Sequence, residues 1–163
     1  MRGMATPVQR AQSGAKRGNG GVRMAYDLER FIRAQERDYA EALAEIRAGR
    51  KQTHWIWYIF PQIKGLGMSA TSRRYGIANL EEAKAYLADR TLRSRLLEIS
   101  QALLDLPETD IGAVMGFPDD LKLRSSMTLF QLAEPECEIF QKVLDKYFGG
   151  EPDGKTVEIC KVS

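Results

Sequence analysis

Leu28, Phe31, Ile32, Gln35, Tyr39, Leu43 and Ile46 fall at steps of three and four residues, the spacing that lines side chains along one face of an α-helix. Asp27 stands where it can cap the first turn and Gly49 where it can close the last. A helix with one apolar face has to bury that face against another element. No apolar/polar alternation long enough for a sheet occurs anywhere in the chain, so the partners must be helices as well. The other face carries Arg30, Arg33, Glu36, Arg37, Glu41 and Glu45, charges of both signs that read as a solvated surface.

The rest of the chain is punctuated in the same way. Thr53 to Gly67 holds the only histidine, both tryptophans and the apolar run Trp55 to Phe60, which ends at Pro61. Thr53 is a good helix cap, while the aromatic and β-branched content suits a strand, so the run stays open between a short buried helix and a strand. Asn79-Leu80-Glu81-Glu82 opens a helix to about Ala88 with a capping-box pattern. A helix from Thr91 carries Leu92, Leu96, Ile99 and Leu103 inward and stops at Pro107. Asp110 caps a brief turn to Met115 closed by Gly116, and Asp119 and Asp120 suit the start of a helix through Phe130. Pro135 reads as a first helical position, Gly149 closes that helix, and a short helix can follow over 153–160. The expected fold is mainly α: a single compact multi-helix domain over 26–163 with a disordered or artefactual N-terminal extension over 1–25.

That extension holds Arg2, Arg10, Lys16, Arg17 and Arg23 and no acid. With a net charge of +2 for the chain, the body is left slightly acidic, which argues against nucleic acid as a partner except weakly through the basic tail. The 44% hydrophobic and 28% charged content matches a soluble globular protein. No apolar run reaches the roughly 18 residues of a membrane span, and no secretory apolar core is present, so a cytoplasmic protein is expected. Cys137 and Cys160 read as reduced structural thiols. With one histidine they make no standard zinc site without carboxylates, so no metal is expected. Gly65-Leu66-Gly67 lacks the spacing of a Walker loop or dinucleotide fingerprint, and no cofactor is implied.

Several blocks in a fixed order carry a family resemblance: R-F-I-R-A-Q from Arg30, G-R-K-Q-T-H-W-I-W-Y-I-F-P-Q-I-K-G-L-G from Gly49, S-R-R-Y-G-I from Ser72, E-E-A-K-A-Y-L from Glu81 and D-L-K-L-R-S-S-M-T-L-F from Asp120. Over roughly residues 26 to 160 the chain resembles the domain-of-unknown-function 1810 family, whose bacterial members are often labelled calpastatin. The resemblance implies a compact helical domain and no established reaction. The calpastatin label gives no support for protease inhibition, because that inhibitor is a disordered repeat protein and this chain is neither repetitive nor poor in core residues.

His54 is the candidate acid–base residue, since only imidazole titrates near neutrality unperturbed; the alternative is a histidine bonded within the core. Trp57 can stack a ring, or simply pack. Lys64, Ser69, Thr71, Ser72, Arg73 and Arg74, and later Lys122, Arg124, Ser125, Ser126 and Thr128, have the donors and charge to hold phosphate; the alternative is hydroxyls bonded to their own helix and solvated arginines. The expectation is a pocket near His54 in which Trp57, Gln62, Lys122, Ser125 and Ser126 bind a small anionic or nucleotide-like ligand. Whether a reaction follows is left open. The alternative is a non-catalytic module for protein interaction or self-association, and the oligomeric state is not set by the sequence.

Overall fold

The chain's computed structural model describes residues 25–162. The expectation for the N-terminal extension therefore lies, apart from Ala25, outside the described residues. Within them run nine helices: α1 Glu29–Arg47, α2 Ile56–Ile59, α3 Ala70–Tyr75, α4 Leu80–Ala88, α5 Arg90–Asp105, α6 Ile111–Met115, α7 Asp119–Ala133, α8 Glu138–Phe148 and α9 Gly154–Val162. The run left open by the sequence is a helix of one turn, buried at Ile56, Tyr58 and Ile59. The one extended pairing among the described residues is a parallel bridge between Ile63 and Ile77. There Ile77 N donates to Gln62 O at 2.9 Å and Lys64 N to Ile77 O at 2.7 Å. No described helix is long and apolar enough to cross a membrane.

The predicted stripe of α1 is inward: Leu28, Phe31, Ile32, Gln35, Leu43 and Ile46 are buried. α1 packs mainly on α5, α7 on α8, and α4 on α7. A line of rings threads these elements, from Tyr75 to Phe31 (centroids 6.0 Å), Phe31 to Tyr86 (5.2 Å, edge to face), Tyr86 to Phe130 (5.1 Å) and Phe130 to Phe140 (5.8 Å). Each such pair adds about 0.5–1.5 kcal/mol beyond burial, and together they join α3, α1, α4, α7 and α8. Gln35, though buried, is satisfied: its amide donates to Tyr58 O at 2.8 Å and Tyr86 Oη at 2.9 Å, and its oxygen accepts from Arg95 at 3.3 Å.

Several predicted ends hold. Asn79 caps α4 by accepting from Glu82 N at 2.9 Å, Asp110 caps α6 by accepting from Gly112 N at 3.0 Å, and Gly149 closes α8 in the left-handed region at φ 62°. Others move. Asp27 does not cap α1 through its side chain, because it sits at φ 52° and Leu28 takes the cap position. α5 starts at Arg90, since the Asp89 carboxylate accepts from Leu92 N at 3.1 Å. Pro135 lies in the turn before α8, which begins at Glu138.

Two charges of α1 read as solvated are ties instead. Glu45 turns back onto the loop after its own helix: Oε1 accepts from Gln52 N (2.8 Å), Thr53 N (3.1 Å) and Trp55 Nε1 (2.9 Å), and Oε2 from Thr53 Oγ1 (2.7 Å). Thr53 is thus spent on Glu45 and does not cap α2. Arg30 donates from Nε to Arg74 O (2.8 Å), from Nη1 to Tyr26 O (2.8 Å) and Asp27 O (2.7 Å), and from Nη2 to Gly76 O (3.1 Å). Its Nη2 also lies 2.9 Å from Glu82 Oε2, with the two side chains only 10% and 3% exposed. That contact is an ion pair without hydrogen-bond alignment, the Glu82 oxygen having no hydrogen-bond donor.

Burial alone would raise the Glu45 carboxyl, but the donors from Gln52, Thr53 and Trp55 prevail and hold it down at about 2, from an ordinary 4.5. A depressed carboxyl contributes stability that is complete above its unfolded value and is lost as pH falls through its folded one. Unfolding midpoints measured between pH 5 and 2 should therefore drop for the native chain, and drop less for Glu45→Gln, which should already be about 2–3 kcal/mol weaker at neutral pH. For Arg30→Met, urea denaturation should show a loss of about 3–5 kcal/mol, because a buried carboxylate is left unpaired. Adding Glu82→Gln should restore part of that loss, and an unchanged double mutant would contradict this pairing.

Candidate functional site

The short helix α3 is the shared wall of two hollows. It starts at Ser69, whose hydroxyl accepts from Ser72 N at 3.1 Å, and ends where Gly76 leads into the Ile63–Ile77 bridge. Two glycines let the chain pack this closely: a Cβ on Gly67 would overlap the Ser72 hydroxyl, and one on Gly76 would come within 3.0 Å of Lys64 Cα. Gly76 lines both hollows.

The larger hollow is open, about 500 Å³, and is bounded by Ala25, Tyr26, Asp27, Arg30, Lys64, Arg73, Arg74, Gly76, Ala78 and Glu82. Its floor is the Arg30–Glu82 pair. Every nitrogen of Arg30 lies against a backbone oxygen or Glu82, so its charge is held in place. Lys64, Arg73 and Arg74 differ, being exposed and having no carboxylate within ion-pair distance among the described residues. Arg74 lies over the Tyr75 ring at 5.4 Å. Asp27 brings the one lining carboxylate that no described cation offsets. The balance is positive, with the exposed cations at the rim and the tethered one beneath.

The smaller hollow, about 10 Å³, is lined by Trp57, Gln62, Ile63, Leu66, Gly67, Ser72, Tyr75 and Gly76. That is room for about one water-sized group. Trp57 Nε1 is buried without a hydrogen-bond partner among the described residues. Lys122 Nζ stands 5.0 Å from the centre of the same indole, and the Gln62 amide donates to Phe60 O at 2.7 Å.

Of the residues predicted to share one pocket, Trp57, Gln62 and Lys122 come together. His54 does not: it is exposed, lies outside both hollows, and its imidazole has no hydrogen-bond partner among the described residues. What holds its segment is the neighbouring backbone, through Glu45 and through Tyr58 Oη donating to His54 O at 3.2 Å. Ser125 and Ser126 do not join the pocket either. The Ser125 hydroxyl is directed to Leu121 O and Asp153 Oδ2, both at 3.2 Å, and Thr128 Oγ1 donates to Arg124 O at 2.8 Å while accepting from Asp153 N at 2.9 Å. Ser126 is fully buried with its Oγ unpaired. The hydroxyl-rich face of α7 thus docks α9, whose first turn Asp153 caps through Thr156 N at 3.0 Å.

The residues missed from the sequence are Arg30, Asp27 and Tyr26. Lys64, Arg73 and Arg74 belong to the phosphate-holding set read there, and only their convergence on one hollow was out of reach. Among the described residues the large exposed apolar side chains, Met68, Phe117, Leu121 and Val162, fall at three separate places in the chain.

The comparisons follow this geometry. A family model described as a protein of unknown function, DUF1810, matches residues 25–160. The crystal structure of the conserved hypothetical protein Rv1873 from Mycobacterium tuberculosis, at 1.38 Å, is similar with 45% identity and a TM-score of 0.83, over 85% of this chain and 99% of that one. No curated protein matches the chain. With a family match across nearly the whole described region and a solved relative of the same fold, the chain belongs to the DUF1810 family of proteins of unknown function.

Proposed function

We propose that this protein binds a small phosphate-bearing anion in the hollow rimmed by Lys64, Arg73 and Arg74. The observation that carries the reading is the convergence of these three cations, none with a carboxylate partner among the described residues, on one opening of about 500 Å³. That size lies in the range of small-molecule sites. Guanidinium groups match the geometry of phosphate oxygens and hold charge at any physiological pH. The fixed Arg30 charge beneath adds attraction without reorganising. Trp57 and Gln62 stand just across Gly76, so the ligand class expected from the sequence is kept while its anion moves from Lys122 and the serines to α3.

The proposal is one of binding. A proton-transfer role for His54 would need an orienting partner within hydrogen-bond reach, and none of the described side chains supplies one. A cytoplasmic setting, in which both thiols stay reduced, belongs to the same reading.

Calorimetric titration with inorganic phosphate in a phosphate-free buffer is the test. Arg73→Ala and Lys64→Ala should each weaken binding about tenfold, or about 1.4 kcal/mol, with little change in melting temperature because both side chains are exposed. Asp27→Asn should strengthen binding about two- to threefold by removing the opposing charge. The absence of binding at millimolar phosphate, or unaltered affinity in Arg73→Ala, would refute the reading.

A further inference from the structure

The second hollow narrows the ligand class. Trp57 Nε1 is buried with no acceptor among the described residues, and an indole N–H can only donate. Native proteins seldom leave such a group unmatched without a reason. Lys122 over the ring, at 5.0 Å, draws electron density from the indole and makes its N–H a stronger donor. The group that meets this N–H must therefore be an acceptor. Trp57 also lines the small hollow, which admits about one water-sized group, so an acceptor entering there must be small.

Gln62, which lines the same hollow, offers an acceptor. Its amide nitrogen is turned to Phe60 O at 2.7 Å, which leaves Oε1, an acceptor, with no donor among the described residues. Ser72, which also lines the hollow, accepts from Ser69 Oγ at 3.0 Å. A carbonyl oxygen could answer Trp57 alone. A hydroxyl can accept from Trp57 and donate to Gln62 at once. Gly76 lines this hollow and the basic one, so the two share a residue.

From this juxtaposition we infer that the ligand is a hydroxylated phosphomonoester, its phosphate on the cations of α3 and a hydroxyl in the Trp57–Gln62 hollow. The inference rests on the anion-site reading and specifies it. Discrimination follows from the chemistry: an ester without the hydroxyl leaves a buried donor unmatched, the kind of loss by which sites built around a hydroxyl reject its deoxy analogue.

Three probes separate the two claims: inorganic phosphate, glycerol phosphate and propyl phosphate, titrated into the full chain. Glycerol phosphate should bind about tenfold more tightly than propyl phosphate. In Trp57→Phe, which keeps a ring under Lys122 and removes the N–H, that ratio should fall to near one while inorganic phosphate binds as before. Gln62→Leu should lower the ratio as well. Equal affinity for the two esters in the native chain, or a ratio that survives in Trp57→Phe, overturns the inference and leaves the anion site standing. Failure of all three probes to bind removes the anion site and this inference together. Should Trp57→Phe not fold, the native ratio decides alone.

Discussion

One guanidinium, that of Arg30, sets the geometry on which the rest depends. It reaches backbone oxygens at Tyr26, Asp27, Arg74 and Gly76 and the carboxylate of Glu82. Those partners belong to the entry into α1, the exit from α3 and the first turn of α4, three segments that share no continuous run of backbone bonds. Such a charge is costly to bury, and only a near-complete set of oxygens makes its burial tolerable. The arrangement is therefore selective: segments brought together in another way would leave Arg30 or Glu82 without its partner.

The proposed anion site follows from the same constraint. Because Arg30 draws the end of α3 against α1, the side chains that α3 cannot bury, Arg73 and Arg74, are left at the rim of an opening facing Lys64. Because Gly76 carries no side chain, Lys64 and the α3 exit approach closely, and the neutral hollow of Trp57 opens beside the basic one. Rigid floor and free rim are the combination that anion recognition requires: the floor needs no reorganisation and the rim can adapt. Elsewhere in the domain Lys146 donates to the carbonyls of Leu103 and Leu104 at 3.2 and 3.0 Å, and also to that of Leu106, closing the end of α5 with a cation as the helix dipole favours.

The helices were legible where local chemistry decides them. The inward stripe from Leu28 to Ile46 follows from spacing alone, and the caps at Asn79 and Asp110 involve partners two or three residues away. The site was legible only in its inventory. Arg30 and Glu45 occupy positions that read as solvent-facing, and nothing local distinguishes them from Arg33 or Glu41. Arg30 meets partners 44 and 46 residues distant, and spacing on one helix cannot report such contacts. For Ser125 and Thr128 the sequence left two readings, phosphate donors or hydroxyls bonded to their own helix; each donates to the carbonyl four residues back, and Asp153 joins both to the C-terminal helix. His54 attracted attention by being the only histidine, which is a property of composition and carries no geometry.

The proposed site requires an anion to settle on the rim of α3 above a fixed Arg30. Amide chemical-shift mapping during titration of the isotope-labelled full chain with inorganic phosphate shows whether it does. Saturable shifts concentrated at Lys64, Arg73, Arg74 and Gly76, with α5 and α8 unmoved, are expected. Shifts centred instead on Lys122 and Ser125, or none that saturate, would contradict it.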